Sequence, residues 1–418
     1  MIARWQWLLR RISKRLWFRA GLFSLLGVAT ALLGLAFKQY IPDHLSARVG
    51  ADAVDNILGI IASSMLAATT FSLNIMVTAY GSATSNVTPR ATPLLVEDAT
   101  TQNVLATFIG SFLFSLVGII ALSTGLYGNN GRVVMFAVTI GVIVLIVYTL
   151  LRWIDHLARL GRLSETTDRV EAAATEALTE RLKHPYLGGS PLTDIPPAAR
   201  AVRATAVGYV EHVDMPALGK LTTESNSALY LQVLPGSFVD HNTVLARVEG
   251  IDESGDEALR AAFSIGVRRS FEQDPRFGLS VLAEIASRAL SPAVNDPGTA
   301  IEVIGRGVRV LSLWGTRIET EEEIELNCRR VFVPGLQVDD LFDDFFGPIA
   351  RDGAALVEVG MRLQKALALL GQNDELGYAA SSVRHAVLAL KRAELALVLD
   401  EDKQVLRILA SRVGQIPD

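Results

Sequence analysis

Long uncharged stretches alternate with short polar links in the first third of the chain, a pattern typical of membrane-spanning helices. Four stretches are long enough to cross the roughly 30 Å apolar core of a bilayer. They predict helices near residues 19–39, 54–80, 103–126 and 132–153. We therefore predict an α-helical integral membrane protein with four transmembrane helices, residues 19–153.

The second stretch carries more polar side chains than a helix surrounded by lipid usually does. At about 100° per residue, most of them fall on one face of the helix, at spacings of three and four. The candidates on this face for lining a pore or packing against another helix are Asn56, Ser63, Thr70, Asn74 and Thr78. Ser64, Thr69 and Ser72 lie off it.

Two interpretations of this face stay open. Small and hydroxylated residues let helices approach closely and hydrogen-bond across the contact. Alternatively, the face lines a wet path through an oligomer, where oxygens replace part of the hydration shell of an ion. The third stretch has a smaller set of small and hydroxylated residues at the same spacings, which favours packing of the second helix on the third. These residues are Thr107, Ser111, Ser115 and Gly118. The span cores hold no charged residue, so a proton relay or charge-coupled pump is poorly supported.

The first 18 residues mix cations with large apolar side chains and are expected to form an interfacial helix on anionic lipid. The expected lipid contacts are Arg10, Arg11, Lys14, Arg15 and Arg19. A solvated basic tail is the alternative. Because no small-residue cleavage site follows, a signal peptide is not expected. The positive-inside rule and the cations after the fourth stretch predict that both termini lie in the cytoplasm.

The link between the second and third stretches, residues 81–103, is expected on the cytoplasmic side. Pro89 and Pro93 should end the helix and turn the chain. Arg90 is then either an ordinary positive-inside residue of a connecting loop or an anion contact at a pore mouth.

The rest of the chain predicts a cytoplasmic α+β region. A helical connector covers residues 154–190, a small β module residues 200–252, and a mainly helical bundle residues 253–418. The β module resembles half of the barrel-sandwich fold of lipoyl and biotin carriers. No lysine stands at its hairpin tip, since Lys220 lies in a predicted helix, so we expect no cofactor.

Composition and charge fit a membrane part joined to a water-soluble part. Half of the residues are hydrophobic; residues 1–152 hold 11 Lys and Arg against 5 Asp and Glu, and the remainder 28 against 39. One cysteine, Cys328, excludes an internal disulfide, and the six scattered histidines predict no metal site. Nucleic acid is not an expected partner.

Catalytic signatures are not found in the sequence, so we do not expect an enzyme. If the protein were an enzyme, the stretch "SPAVNDP" would be the candidate for its catalytic site. Asp296 in this stretch is also suited to cap a helix. Four aspartates lie close together in the sequence and could suggest a site for a divalent cation: Asp339, Asp340, Asp343 and Asp344. Their spacing among apolar residues instead favours an amphipathic helix with a solvated acidic face.

Three stretches together resemble a known family: "ASSMLAATTFSLNIMVTAYGSATSNVTPR", "YLQVLPGSFVDHNTVLARV" and "QDPRFGLSVLAEIASRALSPAVNDPGTA". They are similar to the bacterial predicted membrane proteins of domain-of-unknown-function family 2254, over roughly residues 15–400. The resemblance implies an N-terminal multi-span region and a soluble C-terminal region. It brings no established activity.

The leading hypothesis is a homo-oligomeric ion channel lined by the polar face of the second helix and gated by the cytoplasmic domain. The alternative is a membrane-anchored scaffold or sensor, whose cytoplasmic domain binds a protein or small ligand. The two differ in where the polar face lies. A channel needs it exposed to water in an oligomer, whereas a scaffold predicts it buried against the third helix within one protomer.

Overall fold

Contacts within the chain divide it into two units. Among the described residues of this computed structural model, the membrane unit holds those up to Ser85 and those from Ala91 to Thr166. The C-terminal unit holds Asn86–Arg90 and those from Thr167 onward. The described residues are 17–18, 20–22, 24–25, 28–29, 51–96, 98–124, 128–158, 162–315, 328–372 and 377–413.

The membrane unit is helical. Its helices are α1 (Ala51–Asn86), α2 (Thr92–Val96), α3 (Ala99–Ser123) and α4 (Gly128–Leu157). Length and apolarity allow three segments to cross a membrane: Val54–Ser82, Ala99–Ser123 and Val133–Leu157. They match the second, third and fourth predicted helices.

The first predicted helix, residues 19–39, lies mostly outside the described residues. Those described between residues 17 and 29 are helical. The predicted lipid contacts at positions 10, 11, 14, 15 and 19 also lie outside the described part of the chain.

The apolar face of α1 packs on α3 and α4. Leu58 joins a cluster with Phe114 of α3 and Met135 of α4. Further along α1, Met65 joins a second cluster with Phe108 and Trp153. A methyl group added at Gly118 of α3 would clash with Met135 and come within 3.1 Å of Leu58, so glycine allows this close approach.

Polar contacts join the ends of α3 and α4. Asp98 caps α3 by accepting a hydrogen bond from the backbone N–H of Thr101, at 2.8 Å. The same carboxylate oxygen lies 2.9 Å from Nε2 of His156 on α4, and the His156 ring stacks on Trp153. Both side chains of the Asp98–His156 pair are largely buried, so the pair fixes the two helix ends together.

The C-terminal unit begins within α5 (Leu163–Lys183) and continues into two small sheets. The strands are β1 (Gly189–Pro191), β2 (Arg200–Arg203), β3 (Gly208–Val213), β4 (Ala228–Leu231), β5 (Phe238–Val239), β6 (Val244–Glu249), β7 (Phe263–Gly266) and β8 (Cys328–Val333). One sheet has the order β1-β8-β4-β6-β2, and the other has the order β5-β3-β7.

Within the predicted β module, the alternating or apolar stretches "AVGYVEHV", "ALYLQVL" and "TVLARV" form β3, β4 and β6. The larger sheet is mixed, because β8 pairs in parallel with both β1 and β4, while β4–β6 and β6–β2 are antiparallel. The smaller sheet is antiparallel. Their shared core contains Val202, Leu231 and Val331. Lys220 lies on a helix, as predicted.

Of the remaining helices, the first two contribute Leu218 and Leu259 to the core of the sheets, and the others pack on one another. The remaining helices are α6 (Met215–Glu224), α7 (Asp256–Ala261), α8 (Pro275–Ala289), α9 (Pro297–Gly315), α10 (Val338–Asp352), α11 (Val357–Leu370), α12 (Tyr378–Ala396) and α13 (Asp400–Ala410). Phe342, Phe345 and Phe346 of α10 are fully buried, and the ring of Phe345 fills the space left by Gly307 of α9. The predicted amphipathic character of α10 is thus confirmed.

Candidate functional site

The polar side chains that the sequence places on one face of α1 are exposed on the protomer. This polar face consists of Asn56, Ser63, Thr70, Asn74 and Thr78. At 100° per residue, the buried side of α1 lies directly opposite. It holds Val54, Leu58, Ile61, Met65, Thr69, Ser72 and Met76. The helix therefore turns its apolar side to its own chain and its polar side away from it.

The hydroxyl groups of the polar face donate to their own helix. Ser63, Thr70 and Thr78 each donate to the backbone carbonyl four residues earlier, all at 3.0 Å. This use of the proton leaves the lone pairs of each hydroxyl oxygen available as acceptors. The Asn74 amide has no hydrogen-bond partner within the described part of the chain.

Glycines on the same side of α1 are equally uncovered. A methyl group added at Gly59 or Gly81 would meet no other atom within 4 Å. Among the residues that the structure describes, small-residue packing through this face is therefore absent. Large apolar side chains flank the face and are also exposed, including Ile60 and Val77.

The matching residues of α3 are buried, but not against the polar face. Thr107, Ser111 and Ser115 are at most 5% exposed. Thr107 and Ser115 donate to carbonyls of α3 itself. The packing interpretation has α1 meet α3 through its polar face, whereas α1 approaches α3 with Leu58 and its neighbours. Burying apolar side chains gives the larger gain in folding free energy, so the apolar side of α1 forms the contact within the protomer.

Arg90 is paired within the C-terminal unit. Its guanidinium forms an ion pair with Glu284 of α8, and Thr88 donates a hydrogen bond to the other oxygen of that carboxylate at 3.0 Å. The hydrogen bond with Glu284 raises the pKa of Arg90. A free anion near Arg90 would have to compete with this carboxylate. Glu284 carries no local signal in the sequence, because only the fold brings it to residue 90.

The acidic residues of α10 meet arginines. Arg276 of α8 contacts Asp340 at 2.6 Å and Asp344 at 2.7 Å. Arg384 of α12 lies 2.8 Å from Asp343. These contacts hold three helices together. The predicted solvated acidic face is present, since the side chains of Asp339 and Asp343 are 65% and 53% exposed, and arginines of neighbouring helices also contact it.

The "SPAVNDP" stretch forms the turn between α8 and α9. Asp296 accepts hydrogen bonds from the backbone N–H of Thr299, at 3.0 Å, and from its hydroxyl, at 2.5 Å. The hydroxyl bond to Thr299 lowers the pKa of Asp296. Its role as a helix cap is therefore confirmed, and its carboxylate is occupied as an acceptor.

A cavity of about 600 Å³ lies beside Cys328, the first residue of β8. Its lining includes Lys220, Glu224 and Cys328. Lys220 is exposed and lies 3.7 Å from Glu224. Burial raises the pKa of Cys328, so the thiol is not activated as a nucleophile. Among the described residues, no three His, Cys, Asp or Glu side chains are grouped so as to hold a metal ion.

Comparison with known proteins finds a family of predicted membrane proteins and relatives described as uncharacterised. A family model described as "Predicted membrane protein (DUF2254)" matches residues 13–369. Uncharacterised proteins of Mycobacterium tuberculosis and Mycobacterium bovis are each 26% identical over 275 residues, which cover 62% of this chain and 52% of theirs. The chain thus spans about half the length of the curated relatives it matches. No solved structure matches it.

Proposed function

The chain belongs to this family of predicted membrane proteins, and we propose that copies of it assemble in the membrane into an ion-conducting pore lined by the polar face of α1. One observation carries the proposal. The polar side chains of this membrane-spanning helix are exposed on the protomer, opposite the side that packs on α3 and α4.

The energetic argument starts from Asn74. An amide without a hydrogen-bond partner costs several kcal/mol in a hydrocarbon environment, so lipid is the least favourable neighbour for this side chain. Another copy or water would satisfy it. Since every copy carries the same face, a closed ring of copies can turn all of these faces toward a shared axis. Such a ring leaves apolar flanking residues such as Val77 for lipid and helix contacts.

The polar face offers neutral oxygen atoms and no charged side chain to a passing ion. No charged residue occurs from Asn56 to Pro89. The lining would consist of hydroxyl oxygens and the Asn74 amide, which can replace part of a hydration shell without binding an ion tightly. In this proposal the partners are lipid, further copies of the chain and ions, and no catalytic role is assigned.

We also propose four spans, with both termini on the cytoplasmic side of a bacterial inner membrane. Residues 86–90 share a compact unit with residues 167–418, so both belong on one side of the membrane. The two spans between them, α3 and α4, agree with that arrangement. The basic residues before the first predicted span support the cytoplasmic side. Gating by the C-terminal unit is part of the proposal.

Ion flux into liposomes tests the pore. Purified protein would be reconstituted as wild type, Asn74→Leu and Thr70→Val, with Thr69→Val as the matched control. Thr69 donates to a carbonyl one turn earlier, as Thr70 does, but is 8% exposed on the packed side of α1. We expect both polar-face variants to lower the flux and Thr69→Val to leave it unchanged. Absence of flux from the wild type across salts, pH values and osmotic stress would contradict the pore and favour a scaffold or sensor.

A further inference from the structure

One end of the three-stranded sheet exposes apolar side chains to solvent. Val207 is 53% exposed, Phe238 60% and Val267 86%. Valine and phenylalanine are normally buried in a core, as Val210 and Val239 of the same sheet are. These three residues and Arg268 form what we call the sheet tip.

Strand register brings the members of the sheet tip together. Tyr209 of β3 pairs with Phe238 of β5 on one side and with Gly266 of β7 on the other. The rings of Tyr209 and Phe238 meet edge to face at 5.1 Å. Val207 directly precedes β3, and Val267 and Arg268 directly follow β7, so in this antiparallel pair all three lie at the same end of the sheet.

The sheet tip belongs to the C-terminal unit, which also contains residues 86–90 at and after the end of α1. The span of α1 ends at Ser82, and α1 continues to Asn86. Four further helical residues and four extended ones reach at most about 20 Å, so Arg90 stays close to the bilayer surface. Arg90 is fixed to the unit by Glu284, and Tyr209 at the base of the sheet tip lies near enough to contribute to the raised pKa of Arg90.

The charge of the sheet tip suits a phospholipid surface. Arg268 is exposed, and it forms no ion pair within the part of the chain that the structure describes. Exposed apolar side chains next to an unpaired cation are the combination that interfacial segments use on membranes containing anionic lipid.

We propose that the sheet tip, formed by Val207, Phe238, Val267 and Arg268, inserts into the headgroup region of the bilayer beside the end of α1. The occupant of this apolar surface is lipid. The contact anchors the C-terminal unit independently of the basic N-terminal segment, and it does not depend on whether the protein conducts ions.

Spin labelling in vesicles tests this contact. In a Cys328→Ala background, a nitroxide would be attached after Val267→Cys or, as the matched control, Val398→Cys. Val398 is also highly exposed, at 94%, but lies in the turn between α12 and α13. The full chain would be reconstituted in vesicles of phosphatidylcholine and phosphatidylglycerol. Collisions with oxygen, which concentrates in lipid, would be compared with collisions with a water-soluble nickel chelate.

We expect the label at position 267 to collide more with oxygen than with nickel, and the label at position 398 to show the reverse. Adding Arg268→Gln should reduce the preference for oxygen at position 267 in vesicles with phosphatidylglycerol. Equal, water-like accessibility at both positions would overturn the proposal. Protection of position 267 from both reagents would also overturn it, because that result indicates a protein partner or a second copy.

Discussion

Thr69 and Thr70 are adjacent on α1 and make the same hydrogen bond, yet they face opposite environments. Each hydroxyl donates to the carbonyl four residues earlier, at 2.7 Å for Thr69 and 3.0 Å for Thr70. Thr69 is buried against its own chain, while Thr70 is exposed on the polar face. Because the two residues share chemistry and depth, they separate the effect of the polar face from a general effect of changing α1.

Filling the polar face with a large side chain should impair the assembly or its flux. Gly59→Trp adds bulk where an added methyl group would meet no atom within 4 Å, so we expect the fold of one chain to tolerate it. Gly141→Trp on α4 is the control, since that site is equally open. We expect Gly59→Trp to lose most of the flux or to dissociate, measured by liposome flux and light scattering. Unchanged assembly and flux would argue against contact between copies at this face.

Breaking the Arg90–Glu284 pair should loosen the segment after α1 without unfolding the protein. The Arg90 side chain is 59% exposed, so Glu284→Gln should cost about 1 kcal/mol or less. A loss of that size speeds local amide exchange by up to about fivefold in Val87–Ala91. Hydrogen–deuterium exchange with mass spectrometry checks this. Arg351→Gln, which breaks an exposed pair with Asp352, should leave exchange at Val87–Ala91 unchanged.

Gly278 sets the distance between α5 and α8. A methyl group added there would come within 2.7 Å of the Cα atom of Ala174, so backbone would have to move. We expect Gly278→Ala to destabilise the C-terminal unit by about 1–3 kcal/mol. Gly347→Ala meets nothing within 4 Å and should stay within about 0.5 kcal/mol. Thermal unfolding in detergent measures both, and equal melting temperatures would contradict the packing described.

His385 should make the C-terminal helices sensitive to acid. It is 3% exposed between the rings of Phe342 and Phe346, with Asp343 at 3.1 Å. Burial, assisted by Arg384, lowers its pKa, although Asp343 and Asp339 oppose this shift. The folded state therefore favours neutral histidine, and stability falls as the pH drops below about 6.5 toward the lowered value.

His385→Gln should reduce this acid-induced loss of stability, measured as the difference in melting temperature between pH 7.5 and 5.5. The loss should not vanish, because burial also lowers the pKa of His184. His241→Gln, at an exposed site, is the control. A pH dependence equal in wild type and His385→Gln would show that the burial of His385 does not contribute.

The sequence predicted most helices and strands because their signals are local. Uncharged length identified α1, α3 and α4, and the Asp296–Pro297 cap located the start of α9. The angular arrangement of the polar face also followed from helix periodicity. Periodicity could not show which face of α1 packs on α3, because either its polar or its apolar face could do so.

The pairings between distant residues were out of reach for the same reason. Arg90 and Glu284 are separated by 194 positions, and Asp98 meets His156 only after α3 and α4 fold together. Similarly, Val267 looks like an ordinary strand residue until the end of β7 leaves it uncovered. Such contacts depend on tertiary packing, which a single sequence does not display.

Thiol accessibility at two neighbouring positions tests the central claim most directly. In a Cys328→Ala background, Ser63→Cys and Ser64→Cys place a thiol at nearly the same depth but about 100° apart around α1. Both serines are exposed on the protomer. A membrane-impermeant cationic thiol reagent reacts only where water reaches a thiolate. If the polar face lines a path, the reagent modifies Ser63→Cys and reduces its flux, while Ser64→Cys stays unmodified. Equal reaction at both positions, or none at Ser63→Cys in a protein that conducts, would contradict the account.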